Sequence, residues 1–303
     1  MKMYSGWLIS NGSLKTPTFI EMIDQYKVAA TNQGIKLQHF YNNEFIVSME
    51  GGELVLKGIE VQKLPDFVLF LDKDMRLAFQ LEQLGVPLFN SKHVIEICDD
   101  KAKTFQYLGG KGIPMPKTVI APLMFYNVEE EEVYLNQVEQ LLGYPMVVKE
   151  CFGSFGEQVY LVSNREELIK KRQELLTTPH LYQQYITSSS GRDVRIYVVG
   201  QEIVATMLRK SETDFRANIH NGGMGISYTP PKAFGEIALR IRELLNADFL
   251  GIDLLFDENE NPILCEVNSN AHIKGIQMCT GVNVGEKVIT HIAKKLIENS
   301  IED

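Results

Sequence analysis

Gly251-Ile252-Asp253-Leu254-Leu255-Phe256, then Asp257-Glu258-Asn259-Glu260-Asn261-Pro262, then Ile263-Leu264-Cys265-Glu266-Val267-Asn268: two apolar runs flank a polar six-residue turn, the pattern of a β-hairpin. With the turn centred between Asn259 and Glu260, position 253 falls opposite 266, so two carboxylates face each other. Side chains alternate along a strand, which puts Asn268 on the face of Glu266. Opposed like charges inside apolar strands are unfavourable unless a cation joins them. Three hard oxygen donors, Asp253, Glu266 and Asn268, suit magnesium with bound phosphate. The competing reading gives each acid an ordinary hydrogen bond or salt bridge; the rarity of unpartnered buried acids favours the metal. An EF-hand fails at Pro262, where that loop needs glycine, and at Asn268, where it needs a bidentate glutamate.

Upstream, a strand through Arg195 to Val199 turns at Gly200-Gln201 and returns from Glu202 to Leu208. That turn sets 193 opposite 208 and 195 opposite 206. Asp193 and Arg195 then share one face, and Arg209 falls on the other unless a bulge intervenes. Arginines beside a metal site suit anionic substrates, because planar guanidinium groups grip carboxylate and phosphate with two hydrogen bonds.

Further upstream, Pro145 to Lys149 reads as a strand ending in lysine, followed by Glu150-Cys151-Phe152-Gly153-Ser154-Phe155-Gly156, with Val159 to Val162 as hairpin partner. One ammonium and several backbone N–H groups could cradle phosphates there, although an ordinary hairpin loop with a surface lysine reads equally well. It is neither a Walker A loop nor a Rossmann GxGxxG. His220 and His272 fall in loops near these residues, whereas His39, His93, His180 and His291 have no motif around them. No GxSxG elbow presents a nucleophile.

The first ninety or so residues alternate strands (Gly6 to Ile9, Ile35 to Tyr41, Leu64 to Leu71, Pro87 to Phe89) with helices (Phe19 to Gln33, Asp74 to Leu84), which predicts parallel βαβ units in a small doubly wound sheet. Helices follow from Lys92, behind a Ser91 cap, and from Asp99 to Leu108. An acidic run, Glu129 to Glu132, opens another as a solvated N-terminus. Apolar stripes at helical spacing from Phe234 to Leu245 and from Val284 to Ile297 read as core. The 303 residues allow two or three domains, placed at 1–92, 93–184 and 185–303.

Thirty basic and 39 acidic residues give a net charge of −9, which disfavours nucleic acid as a partner. No apolar run is long enough for a membrane span, and the first residues lack the pattern of a signal peptide, so the expected location is cytoplasmic. Cys98, Cys151, Cys265 and Cys279 are too scattered for a zinc site or disulfide framework and read as reduced thiols.

Six separated segments together resemble an ATP-grasp enzyme of the RimK-like α-L-glutamate ligase family, over nearly the whole chain. They are Asp100-Lys101, Val147-Val148-Lys149 with the glycine loop, Gln183-Gln184-Tyr185-Ile186, Gly191 to Arg195, Asp214 to Gly223, and Glu266-Val267-Asn268. The resemblance implies an α/β (α+β) ATP-grasp fold, with ATP between two antiparallel sheets. Lys101 and Lys149 would meet its phosphates, Gly153, Ser154 and Gly156 would form the phosphate lid, and backbone at Gln184 and Tyr185 would meet adenine, with Gln183 and Ile186 also cofactor-binding. Asp193 would take the ribose, and Arg216, Ala217 and Asn218 the region of phosphate or substrate. Asp253, Glu266 and Asn268 match the holders of two magnesium ions, which manganese can replace.

The implied reaction is carboxylate-amine ligation. A carboxylate attacks the γ-phosphate to give an acylphosphate, and an amine then displaces phosphate. Arg195, Arg209 and Lys149 are the implied catalytic groups. The carboxylate is a peptide, a protein C-terminus or a small metabolite, and the amine belongs to an amino acid such as glutamate. Homo-oligomers are common in the family, though the chain carries no interface signature of its own. The alternatives on the same fold are a phosphoryl-transfer enzyme and a nucleotide-binding regulator. The chain departs from the family pattern at Gln184, usually glutamate, at Asn270-Ala271-His272, usually Ser-Pro-Gly, and at Lys274, usually an acid.

Overall fold

The computed structural model describes residues 3–58, 63–126, 132–154, 156–219 and 222–302. Residues 129–131 of the acidic run, together with Phe155 and His220, lie outside the described residues.

The chain begins with β1 (Ser5–Ser10), α1 (Pro17–Asn32), β2 (Lys36–Tyr41), β3 (Phe45–Glu50), β4 (Glu53–Gly58), β5 (Phe67–Leu71), α2 (Met75–Gln83) and β6 (Leu88–Phe89). Four of these strands form a parallel sheet in the order β2-β1-β5-β6. Every residue of β5, Phe-Val-Leu-Phe-Leu, is buried, as a strand covered on both faces requires. Proline at the first turn starts α1, and Asp74 caps α2 by accepting from the Arg76 and Leu77 N–H groups.

The β3–β4 hairpin is absent from the sequence reading. Its Gly51-Gly52 turn, with φ of 61° and 90°, is a proper hairpin signal. The ribbon stands outside the main sheet with Ile46 and Met49 exposed, so the inside–outside alternation that identifies strands is missing.

Next come α3 (Lys92–Asp99), α4 (Lys101–Leu108), β7 (Thr118–Ile120), α5 (Glu132–Leu142), β8 (Met146–Glu150), β9 (Val159–Val162), α6 (Arg165–Glu174) and β10 (His180–Gln184). An antiparallel sheet runs β7-β10-β8-β9, with Met146 opposite Val162 and Lys149 opposite Val159. Helices α5 and α6 cover one face through Leu135, Val138 and Leu168.

The remainder is β11 (Arg192–Val199), β12 (Glu202–Lys210), β13 (Met224–Ser227), α7 (Lys232–Leu245), β14 (Phe249–Phe256), β15 (Pro262–Asn268), α8 (Lys274–Thr280) and α9 (Val284–Glu302). The third sheet is ordered β13-β12-β11-β14-β15. Asp253 pairs with Glu266 as the turn arithmetic requires.

The β11–β12 register differs from expectation. A bulge between Tyr197 and Val198 sets Asp193 opposite Arg209 and Arg195 opposite Met207. The extra residue moves Arg209 onto the face of Asp193 and Arg195.

Helix α7 seals the other face with Phe234, Ala238, Ile241 and Leu245 against Val194, Ile196, Ile252 and Leu254; Phe234 and Ile241 are fully buried, each worth about 1.5–3 kcal/mol. Helices α3 and α4 bury Ile97 and Phe105 in this same core. Helix α9 turns back to the first sheet, where Val288 and Ile292 join Leu8, Tyr26 and Leu69 in one core.

Asn90, just after β6, ties these parts together. Its amide donates to the carbonyls of Phe249 at 2.8 Å and Ser269 at 2.9 Å and accepts the Asp248 N–H at 2.7 Å.

Candidate active site

The second and third sheets face each other across an open cleft. Val147, Lys149, Gln183, Gln184, Tyr185 and Ile186 line one wall, and Asp193, Arg209, Asp253 and Glu266 the other. Gly156, Arg216, Ala217 and Asn218 close the rim, and Lys101 reaches in from the start of α4. The residues expected around a nucleotide are thus together, with two exceptions. Ser154 lines the adjoining cleft, and Gly153 lines neither, serving instead to shape the loop with a φ of 145° against the Gln158 side chain.

Lys101 and Lys149 are each only 8% exposed. Asp100 caps α4 through the Ala102 and Lys103 N–H groups, which fixes Lys101 at the helix start. The Gln184 N–H donates to the Lys117 carbonyl at 2.9 Å, so it is not open to a ligand.

On the opposite wall, four charges form one buried network. Arg195 Nε and Nη2 grip the two Asp253 oxygens at 2.7 and 2.6 Å, and Arg209 grips both Asp193 oxygens at 2.6 Å. Burial opposes ionisation of Asp253, and the flanking Arg195 and Arg209 guanidiniums more than offset it, holding the carboxyl below its usual range. Burial dominates at Asp193 and pushes its carboxyl up against the pull of Arg209.

The cation demanded by the facing carboxylates is therefore supplied by side chains: Asp253 meets two arginines, and Glu266 Oε1 has Lys101 Nζ at 3.8 Å. Among the described residues no three His, Cys, Asp or Glu side chains cluster as a metal site. The oxygen set of Asp253, Glu266 and Asn268 nevertheless fits a hard divalent ion. The two acids are directly paired, and Asn268, whose amide oxygen is a neutral hard donor, shares the strand face of Glu266. An ion there would share Asp253 with the arginines.

Glu266 also lines a second cleft of about 1340 Å³, between the first sheet and the loop after β15. Arg195, Asn268, Ser154 and His272 border it, but so do Asn11, Asp72, Lys73 and Asp99, which the sequence reading missed. Asn11 follows β1 and Asp72 follows β5, the two strands on either side of the point where the sheet order reverses; ligands of open parallel sheets bind there. That signal becomes usable only when the strand order is known.

The glycine loop is held from both sides. Arg216, forked onto Asp214 at 3.0 and 2.6 Å, donates to the Gly156 carbonyl at 2.6 Å. Lys73, ion-paired with Asp99, donates to Ser154 Oγ at 3.4 Å. All four cysteines are free; burial pushes Cys98 up to about 12 and Cys265 up to about 11.

Residues 98–292 match the RimK-like ATP-grasp domain. The chain is 34% identical over 220 residues to a Citrobacter koseri protein named probable alpha-L-glutamate ligase, covering 71% of this chain and 70% of that one. It is 29% identical over 293 residues to N-acetylaspartylglutamate synthase A of Homo sapiens, covering 92% and 73%. In architecture it is similar to D-alanine–D-alanine ligase from Bacillus anthracis, solved with ATP, at a TM-score of 0.73, 17% identity and 99% of each chain. With a cleft between two antiparallel sheets and two buried lysines in it, the chain belongs to the RimK-like ATP-grasp family and is an ATP-dependent ligase.

Proposed function

We propose that this enzyme joins a small carboxylic acid to the amine of an amino acid, with glutamate as the donor, through an acylphosphate. The observation that carries the reading is the meeting of two clefts at Glu266, one lined by Lys101 and Lys149 and one opening onto Arg195 and Lys73. The relatives named for N-acetylaspartylglutamate synthesis and for glutamate ligation support a glutamate donor. The free cysteines support a reducing, cytosolic setting.

In this mechanism Lys101 and Lys149 bind the phosphates, backbone of Gln184 to Ile186 takes adenine, and Asp193 faces the ribose. Asp253, Glu266 and Asn268 would hold magnesium, which when bound offsets phosphate charge during transfer. Arg195, which lines the second cleft, orients the carboxylate for attack on the γ-phosphate and then steadies the oxyanion when the amine adds. Arg209 holds Asp193 and Asp253 in place for these contacts. The Gly153–Gly156 loop keeps water from the acylphosphate.

The test incubates the protein with ATP, magnesium and a panel of carboxylates, including N-acetylaspartate and citrate, with either L-glutamate or hydroxylamine. ADP release with a new amide, and a hydroxamate in the hydroxylamine arm, is the expected result. ATP binding without ADP or hydroxamate across the panel would overturn ligation and favour a regulator. A stable phosphorylated product formed without amine would indicate a phosphoryl-transfer enzyme.

A further inference from the structure

Two cavities flank one partition. The second cleft and a third cavity of about 1140 Å³ share Phe19, Arg195, Asn218 and His272. The His272 ring stands edge-on to Phe19, with centroids 5.3 Å apart at 85°. The His272 carbonyl accepts the Tyr197 hydroxyl at 2.5 Å. Ring and backbone are thus fixed from two elements, yet among the described residues neither ring nitrogen makes a hydrogen bond.

The charged groups on the packed elements are Arg195 on β11 and Lys274 on α8, the latter paired at 2.5 Å with Glu21 of α1. Across the second cleft stand Asp72, Lys73, Asp99 and Glu266. Burial lowers the His272 pKa from the ordinary imidazole value, and Arg195 and Lys274 push the same way. Both effects favour the neutral ring, whose unprotonated nitrogen is an open acceptor.

Asp72 borders the same cleft, with its outer carboxylate oxygen sealed in the wall. Asp72 is 4% exposed; its Oδ1 takes Asn11 Nδ2 at 3.0 Å and the Lys73 N–H at 2.6 Å, while its Oδ2 has no partner among the described residues.

We propose, resting on the ligase reading above, that His272 takes the proton that the amine substrate must lose before it attacks the acylphosphate. One ammonium N–H bond breaks, its electron pair stays on nitrogen and the proton moves to a His272 ring nitrogen. That pair then forms the C–N bond while the C–O bond to phosphate breaks. The second N–H proton leaves with the phosphate, and His272 passes its own proton to solvent. An ammonium and an acylphosphate dianion become an amide, hydrogen phosphate dianion and one released proton. Lys274 beside it biases the ring toward its neutral form.

The test compares wild type with His272→Gln, using L-glutamate or hydroxylamine as acceptor with the same carboxylate, after ATP binding has shown that the variant is folded. Hydroxylamine has abundant free base at neutral pH and attacks without a general base. The variant should lose amide formation about 100-fold at pH 7, the scale of general-base catalysis, with a much smaller loss of hydroxamate. Its residual amide rate should climb about tenfold per pH unit, following the free amine, whereas wild type levels off above the His272 pKa. Equal loss of amide and hydroxamate, or an unchanged pH profile, overturns the base role while leaving ligation intact. Absence of hydroxamate from wild type with every carboxylate overturns the ligase reading and this proposal with it.

Discussion

Arg209 Nη2 lies 2.8 Å from Asp253 Oδ2, and this contact joins two bidentate forks into one buried chain of alternating charge, Asp193, Arg209, Asp253 and Arg195. The chain is neutral as a whole, so removing one member strands its neighbour's charge in the core.

Asp253→Asn should therefore lose stability as well as turnover, by about 3 kcal/mol. Glu266→Gln touches a side chain that is 28% exposed and meets Lys101 only at 3.8 Å, so its stability should change by less than about 1 kcal/mol. Both should lose most ADP release. Thermal unfolding beside a turnover assay separates them; an Asp253→Asn protein as stable as wild type would show that the arginines do not depend on that charge.

Lys149→Ala should weaken ATP and ADP binding alike, by about 10- to 100-fold, because a buried ammonium on a phosphate is a charge-assisted contact of about 1.5–3 kcal/mol. Calorimetry with both nucleotides checks it. A loss confined to ATP would place the ammonium on the γ-phosphate alone.

Arg216→Ala removes the donor to the Gly156 carbonyl and frees one side of the glycine loop. Under the proposed acylphosphate mechanism, water should then reach the intermediate more often, and ADP formed per amide should rise several-fold. Coupled assays of ADP and amide measure the ratio, and an unchanged ratio would mean that the loop closes without this latch.

Asn90→Ala leaves two backbone carbonyls and two N–H groups of the β14 and β15 junction without this partner. Unsatisfied buried groups cost about 1–3 kcal/mol each, and relaxation lowers the sum. Denaturant unfolding should show a loss of about 3 kcal/mol; a change below about 0.5 kcal/mol would exclude Asn90 as a structural tie.

Asp248 sets an acid limit on stability. Burial works against its charge, but hydrogen bonds from His291 at 2.9 Å and Lys295 at 2.7 Å prevail and hold its carboxyl below the ordinary range. A depressed folded pKa stabilises the native state above the unfolded value of about 3.9. That contribution disappears as pH falls through the folded value. Asp248→Asn should be less stable than wild type at pH 7, with the gap closing below about pH 4; a gap independent of pH would remove the ionic explanation.

Much of the site was legible because strand alternation is a strict rule. It placed Asp253, Glu266 and Asn268 on one face, and the β14–β15 register agrees. It did not foresee that arginines would neutralise Asp253, because the bulge at Tyr197 and Val198 carries no turn residue to announce it, and one inserted residue moved Arg209 across the sheet. The hairpin of residues 45–58 escaped because its exposed Ile46 and Met49 break the pattern by which strands are recognised. Asn11, Asp72 and Lys73 escaped for a different reason. They come together with residues near 270 through tertiary packing, and a single sequence holds no local trace of that distance.

Helix α9 has a further consequence for how the chain is made. Its Val288 and Ile292 complete the core around Leu8 and Tyr26, and the Tyr4 hydroxyl donates to the Leu296 carbonyl across 292 positions of sequence. During synthesis, the first parallel sheet must wait with an oily flank uncovered until residues 284–296 have emerged. A nascent chain stalled before residue 284 should be a good client for chaperones that cover greasy surfaces.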